Sequence, residues 1–149
     1  MKRLIIIIFL LSSLFCSAQF LTAKEQKNIL FTSALTMVSG AFDGTTEFLQ
    51  YRYTGTSQFW QPDISWRNKW KNGDPLQGEK FWQSSRALVF VTDGYHLTRM
   101  GRNLFAMTAI VVNIGDGKKQ WYKYVIQFCV NYVAYTAGFS LMYDLILSK

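Results

Sequence analysis

Residues 124–143 carry no charged side chain, and they are bracketed by Lys118, Lys119 and Lys123 on one side and by Asp144 and Lys149 on the other. A helix of that length rises about 30 Å, the thickness of a bilayer's hydrocarbon core. The stretch is therefore either a membrane span or the central helix of a bundle, and we read it as a span over 124–143. Gln127 and Asn131 share one of its faces at i,i+4 spacing, and Ala134 and Gly138 form a small-xxx-small ridge suited to close helix contact.

The N-terminus has the form of an export signal. Lys2 and Arg3 precede the apolar run of residues 4–11, and Cys16, Ser17 and Ala18 are small residues of the kind that signal peptidase reads. A signal peptide over 1–18 is expected, with cleavage before Gln19. Bulky Phe15 argues against lipid attachment at Cys16. The mature chain, 19–149, is one domain's length, and loss of Lys2 and Arg3 takes the formal net charge from +7 to about +5. Only Cys129 survives, so no disulfide forms within the mature chain, and the single histidine excludes sites that need several imidazoles. The address implied is the bacterial cell envelope, at the inner membrane or a periplasm-facing membrane surface.

Three further stretches complete an all-α reading, a small bundle of three to four helices with a long aromatic loop. Leu30, Ala34, Leu35, Val38, Ala41 and Phe42 recur at helical steps after a solvated lead-in, residues 24–27. Residues 54–83 hold both prolines and four tryptophans, Trp60, Trp66, Trp70 and Trp82, with a turn at 72–75 and a short helix over 65–71 that places Trp66 and Trp70 on one face. Tryptophan mixed with Lys and Arg suits a membrane interface, and equally a loop packed over helices. Asp63, Asp74 and Glu79 in the same segment argue against nucleic acid as the basic loop's partner. Residues 84–115 read as a third helix capped by Ser84 and Ser85, either continuous or hinged at Gly101.

Chemistry-bearing residues are few. Asp43 and Glu47 stand four apart after an apolar run, and Asp93 and His96 three apart after another. If the two helices pack side by side, Asp43, Glu47, Asp93 and His96 supply three oxygen donors and one nitrogen, suited to a divalent metal such as Zn, Mn or Fe, or to acid/base work. A structural layer with Arg86, Arg99 and Arg102 satisfies the same groups and needs no cofactor. The segment from Gly44 through Glu47 to Gln50, together with Asp93-x-x-His96, resembles the VanZ-like proteins and related small envelope lipoproteins, in which the Asp-x-x-His helix precedes the Glu helix rather than coming after it. Asp63, Ser65 and Asn68 stand where that family has a polar series after its Glu helix. The resemblance implies a small helical envelope protein with a polar cluster of Asp43, Glu47, Gln50, Asp93 and His96.

No Gly-x-Ser-x-Gly elbow, P-loop or dinucleotide turn is present. The expectation is a non-enzymatic, membrane-associated envelope protein of structural or interaction role, partnered by membrane lipid or an envelope protein. The alternatives are a metal-dependent hydrolase or transferase acting on lipid or cell-wall material, and a lipid or small-molecule binder that uses the aromatic loop as a lid.

Overall fold

The computed structural model describes residues 21–147, so the expected signal peptide and Cys16 lie outside the described residues. Four helices succeed one another: α1, Ala23–Tyr51; α2, Ser65–Asn68; α3, Gly94–Gly115; and α4, Trp121–Ser140, which runs on as a wider π-helical segment, Leu141–Ile146. No strand occurs among the described residues, and the only β-type pairing there is an isolated bridge between Trp70 and Glu79. The protein is an all-α bundle.

Helix α1 starts earlier than the apolar pattern suggests. Thr22 caps it by accepting from the Glu25 amide (3.3 Å), while the Glu25 carboxylate accepts from the Thr22 amide (2.8 Å). This capping box draws the charged lead-in into the helix. The third helix, by contrast, starts ten residues later than expected. Ser84 and Ser85 are not its caps: the Ser84 hydroxyl donates to the Lys69 carbonyl (2.8 Å), and Ser85 donates to Glu79. Residues 84–93 form turns around one 3-10 turn, Val89–Val91, in keeping with a run of β-branched residues that resists helix. Asp93 is the cap, extended at φ −163, with its carboxylate accepting from the His96 amide (2.9 Å). From there α3 passes Gly101 unbroken, and that glycine admits the Phe42 ring. The expected helix over 65–71 is only one turn; Trp70 lies beyond it in extended backbone.

Helix α1 is the centre of the bundle and packs on both α3 and α4. It runs antiparallel to α3, joined by Thr46 to Thr98 (2.9 Å) and by the Ser39 hydroxyl to the Arg102 carbonyl (2.9 Å). It runs parallel to α4, from Glu25 and Lys123 (2.8 Å) at one end to the Arg52 guanidinium over the Tyr143 ring (4.1 Å) at the other. The two backbones touch through glycine. A Cβ on Gly40 would lie 2.0 Å from the Tyr135 carbonyl oxygen, on Gly44 2.5 Å from that of Phe139, and on Gly138 1.9 Å from that of Met37. Gly138 thus makes the close contact its spacing predicts, and Gly40-x-x-x-Gly44 is the matching seam on α1.

The distribution of polarity is the reverse of that in a water-soluble bundle. Among the described residues only Ile29, Leu49 and Ala109 are buried apolar side chains, whereas Thr32, Ser39, Thr46, Thr98 and Gln127 are buried between the helices. The apolar residues point outward: Leu30 is 72% exposed, Val111 66%, Ile114 74% and Phe128 69%. The apolar stripe that marks α1 as a helix divides: Leu30, Ala34 and Val38 face out of the bundle, while Phe42 turns onto α3 and stacks on Phe105. Trp121–Ile146 is long and apolar enough to cross a membrane, and only 11% of its most apolar stretch is buried.

Candidate functional site

Polar side chains meet between the helices at three levels. At one end the Lys119 ammonium donates to Gln127 (3.0 Å), which also bonds Asn113 and, at 3.3 Å, the Thr32 hydroxyl; Thr32 in turn reaches Asn131 (3.3 Å). Beside them Asp116 takes Lys24 (3.1 Å) and Lys119 (2.8 Å), and hydrogen bonds from Lys119, Asn28 and Lys24 hold its carboxyl far below the usual range. At mid-depth Arg102 donates to one oxygen of Asp43 (2.7 Å) and the Tyr135 hydroxyl to the other. Glu47, one turn on, has no hydrogen-bond partner among the described residues. The i,i+4 series Gln127, Asn131, Tyr135 along α4 is the sequence signal that marks Tyr135 as part of this polar face.

The third level lies at the opposite end, where α3 begins. Asp93 is fully buried there. The Ser65 hydroxyl donates to Asp93 Oδ1 (2.9 Å), the Thr92 hydroxyl to Oδ2 (2.8 Å), and His96 Nδ1 lies 2.8 Å from Oδ2. Burial pushes the Asp93 carboxyl up, but the His96 ring, the His96 amide and Thr92 outweigh it and leave the net shift downward. An ionised Asp93 assigns the Nδ1 proton to the bond with Oδ2, which fixes the ring and leaves Nε2 pointing away from the carboxylate. Trp60 closes the site from the loop. Its indole lies over Gly94, where a Cβ would come within 2.0 Å of the ring, and the Phe59 carbonyl accepts from the Gly94 amide (2.7 Å).

Asp93, His96 and Ser65 have the composition of a nucleophilic triad without its geometry. In a triad the carboxylate and the hydroxyl sit on opposite nitrogens of the imidazole. Here Ser65 Oγ stands 2.9 Å from Nδ1, the nitrogen that Asp93 already occupies, and Ser65 is itself buried. Ser65 therefore orients the pair and has no relayed proton to lose.

The five residues expected in one polar cluster divide. Asp43 pairs with Arg102 and Tyr135, Asp93 with His96, and Gln50 is exposed and bonds Tyr51 (3.0 Å). The antiparallel register separates Asp43 from the Asp93–His96 pair. Asp43 lies level with Arg102, and His96 is nearly two turns further along α3. No three His, Cys, Asp or Glu side chains among the described residues stand close enough to share an ion, so Asp43, Glu47, Asp93 and His96 do not form the expected metal-ligand set. Of the four tryptophans, Trp66 and Trp82 are exposed at 49% and 79%, Trp70 is half-buried, and Trp60 covers Gly94.

Outside the Asp93–His96 pair lies an open cavity of about 560 Å³ between residues 86–90 and the outer face of α3. His96, Arg86, Arg99 and Asn103 form its polar rim, and Phe90 and Met107 belong to its apolar wall. No carboxylate lines it. The Arg99 guanidinium is held over the Tyr95 ring (5.5 Å). Comparison with known proteins yields no relative: no family model, no curated protein and no solved structure matches this chain.

Proposed function

We propose that this chain is a small membrane-inserted protein of the bacterial cell envelope, with a structural or interaction role and no catalytic one. The observation that carries the reading is the reversal of polarity, with hydroxyls, amides and an Asp43–Arg102 pair between the helices and Leu, Ile, Val, Met and Phe outside. In water a surface with so many exposed large apolar side chains is unfavourable, and such faces mark membrane or partner contact. In hydrocarbon it is the favourable face, and close glycine contacts with interhelical hydrogen bonds are what hold helices together there. The dimensions agree: from Ile29 to Leu49, α1 rises about 30 Å, the thickness of the hydrocarbon core. Charged residues gather beyond both ends, Lys24, Glu25, Asp116 and Lys119 at one and Arg52, Arg67, Lys69 and Arg86 at the other. The basic and apolar residues 2–11 support an exported address.

The non-enzymatic part rests on the side chains at the α3 end. Ser65 and Asp93 share one imidazole nitrogen, and the acid groups are dispersed over separate partners.

Fractionation tests the reading. After cells making the full chain are broken and their membranes washed with alkaline carbonate, the protein should stay with the membranes and leave them only in detergent. Recovery in the aqueous wash would overturn it.

A further inference from the structure

The cavity outside the Asp93–His96 pair has a chemistry that the membrane reading leaves unassigned. We propose that it holds one anionic phospholipid, the phosphate between Arg86 and Arg99 and one acyl chain along α3. This rests on the membrane-inserted reading of the protein.

Charge complementarity supports it first. Two guanidiniums, Arg86 and Arg99, line the cavity without a carboxylate beside them, so the occupant they favour is an anion, and guanidinium forks match phosphate oxygens. Two acids act on the rim residues, and neither faces the cavity: Glu79 interacts electrostatically with Arg86 but is occupied by Ser85 and the Gln83 amide (2.9 Å). Buried Asp93 is turned onto His96 Nδ1, away from the cavity. His96 is not free to swing: Asp93 and Ser65 both hold Nδ1, and the ring presents its other edge to the cavity.

Length supports it second. His96, Met100, Asn103 and Met107 succeed one another at three- and four-residue steps on one face of α3. From His96 to Met107 is eleven residues, about 16 Å of helix, which matches half the thickness of a ~30 Å hydrocarbon core. With the headgroup at the level of His96 and Arg99, an acyl chain of ordinary length lies against Met100 and Leu104 and ends near Met107. These side chains are exposed, Met100 to 37%, Leu104 to 52% and Met107 to 63%. Inorganic phosphate satisfies the rim but leaves this apolar wall bare, so the occupant argued for is the lipid.

The test uses the full chain purified in a neutral detergent, mixed with equimolar phosphatidylglycerol and phosphatidylcholine, and analysed for retained lipid by native mass spectrometry. Wild type should retain phosphatidylglycerol about tenfold over phosphatidylcholine, the ratio expected from one charge-assisted contact. In Arg86→Gln/Arg99→Gln the two should be retained equally, with circular dichroism unchanged because both arginines are exposed. Met107→Asp, which leaves the rim intact, should also lose the lipid. Equal retention of both lipids by wild type overturns the proposal, as does undiminished preference in the arginine double variant. Complete displacement of phosphatidylglycerol by inorganic phosphate, or full retention in Met107→Asp, overturns the acyl-chain assignment. Protein that stays in solution after the detergent is removed points instead to failure of the membrane reading, so the two outcomes are distinguishable.

Discussion

Asp93 holds together three things that the sequence presents separately: the start of α3, the loop residue Ser65 and the orientation of His96. Asp93→Ala removes the cap, which alone costs about 1–2 kcal/mol, and takes away the buried carboxylate that the Ser65 hydroxyl and the His96 ring share. The measured loss in denaturant unfolding should exceed the cap's share. Asp93→Asn keeps the cap acceptor and should cost less. The pH dependence comes from the downward shift of Asp93. A carboxyl depressed in the folded state stabilises fully above its unfolded value of about 3.9, and that stabilisation fades as pH falls through the folded value. Asp116 acts in the same direction. Wild type should therefore weaken steeply below about pH 4, and Asp93→Asn should flatten that acid limb in a midpoint-versus-pH series. An unchanged limb would mean that Asp93 is no more stabilised as an anion in the fold than in the unfolded chain.

At the scale of elements, the α1–α4 seam admits no side chain at Gly40 or Gly138, because the obstacle is carbonyl backbone and not a movable ring. Gly40→Val should cost at least the ~1–3 kcal/mol typical of overpacking and separate the two helices, read as loss of a disulfide engineered across them. Gly94→Ala meets the Trp60 indole instead, so the loop should lift while α3 remains, seen as a shift in tryptophan emission with unchanged helicity. The helices are legible in sequence because apolar spacing and charge-free length survive whichever way the faces turn; Gln127, Asn131 and Gly138 take their places for the same reason. What periodicity does not carry is direction. Leu30, Val38 and Phe42 mark one helical stripe, but only their surroundings decide that the first two face outward and the third packs on α3. The start of α3 is hidden because Ser84 and Asp93 are both good caps by type, and the choice between them depends on the distant Lys69 carbonyl. Ser65 beside Asp93 is a tertiary contact across 28 positions that local pattern does not encode.

For the molecule as a whole, the Asp43–Arg102 pair sits midway along helices that we read as membrane spans, where charges persist only when matched. Asp43→Asn should destabilise the micelle-bound protein by about 2–3 kcal/mol, less than the ~3–5 of a fully buried pair because the Arg102 side chain is 31% exposed. Asp43→Asn/Arg102→Gln should cost less than the sum of the single changes, as a double-mutant cycle measures. The parallel run of α1 and α4 sets a schedule for assembly. Thr32 waits for Asn131 across 99 positions, and Asp43 waits for Tyr135 across 92. With synthesis at ~5–20 residues per second, the polar flank of α1 goes without its final partners for about 5–20 seconds. Until α4 is made, the α1 side chains that it will cover, Thr32 and Asp43 among them, lack that cover.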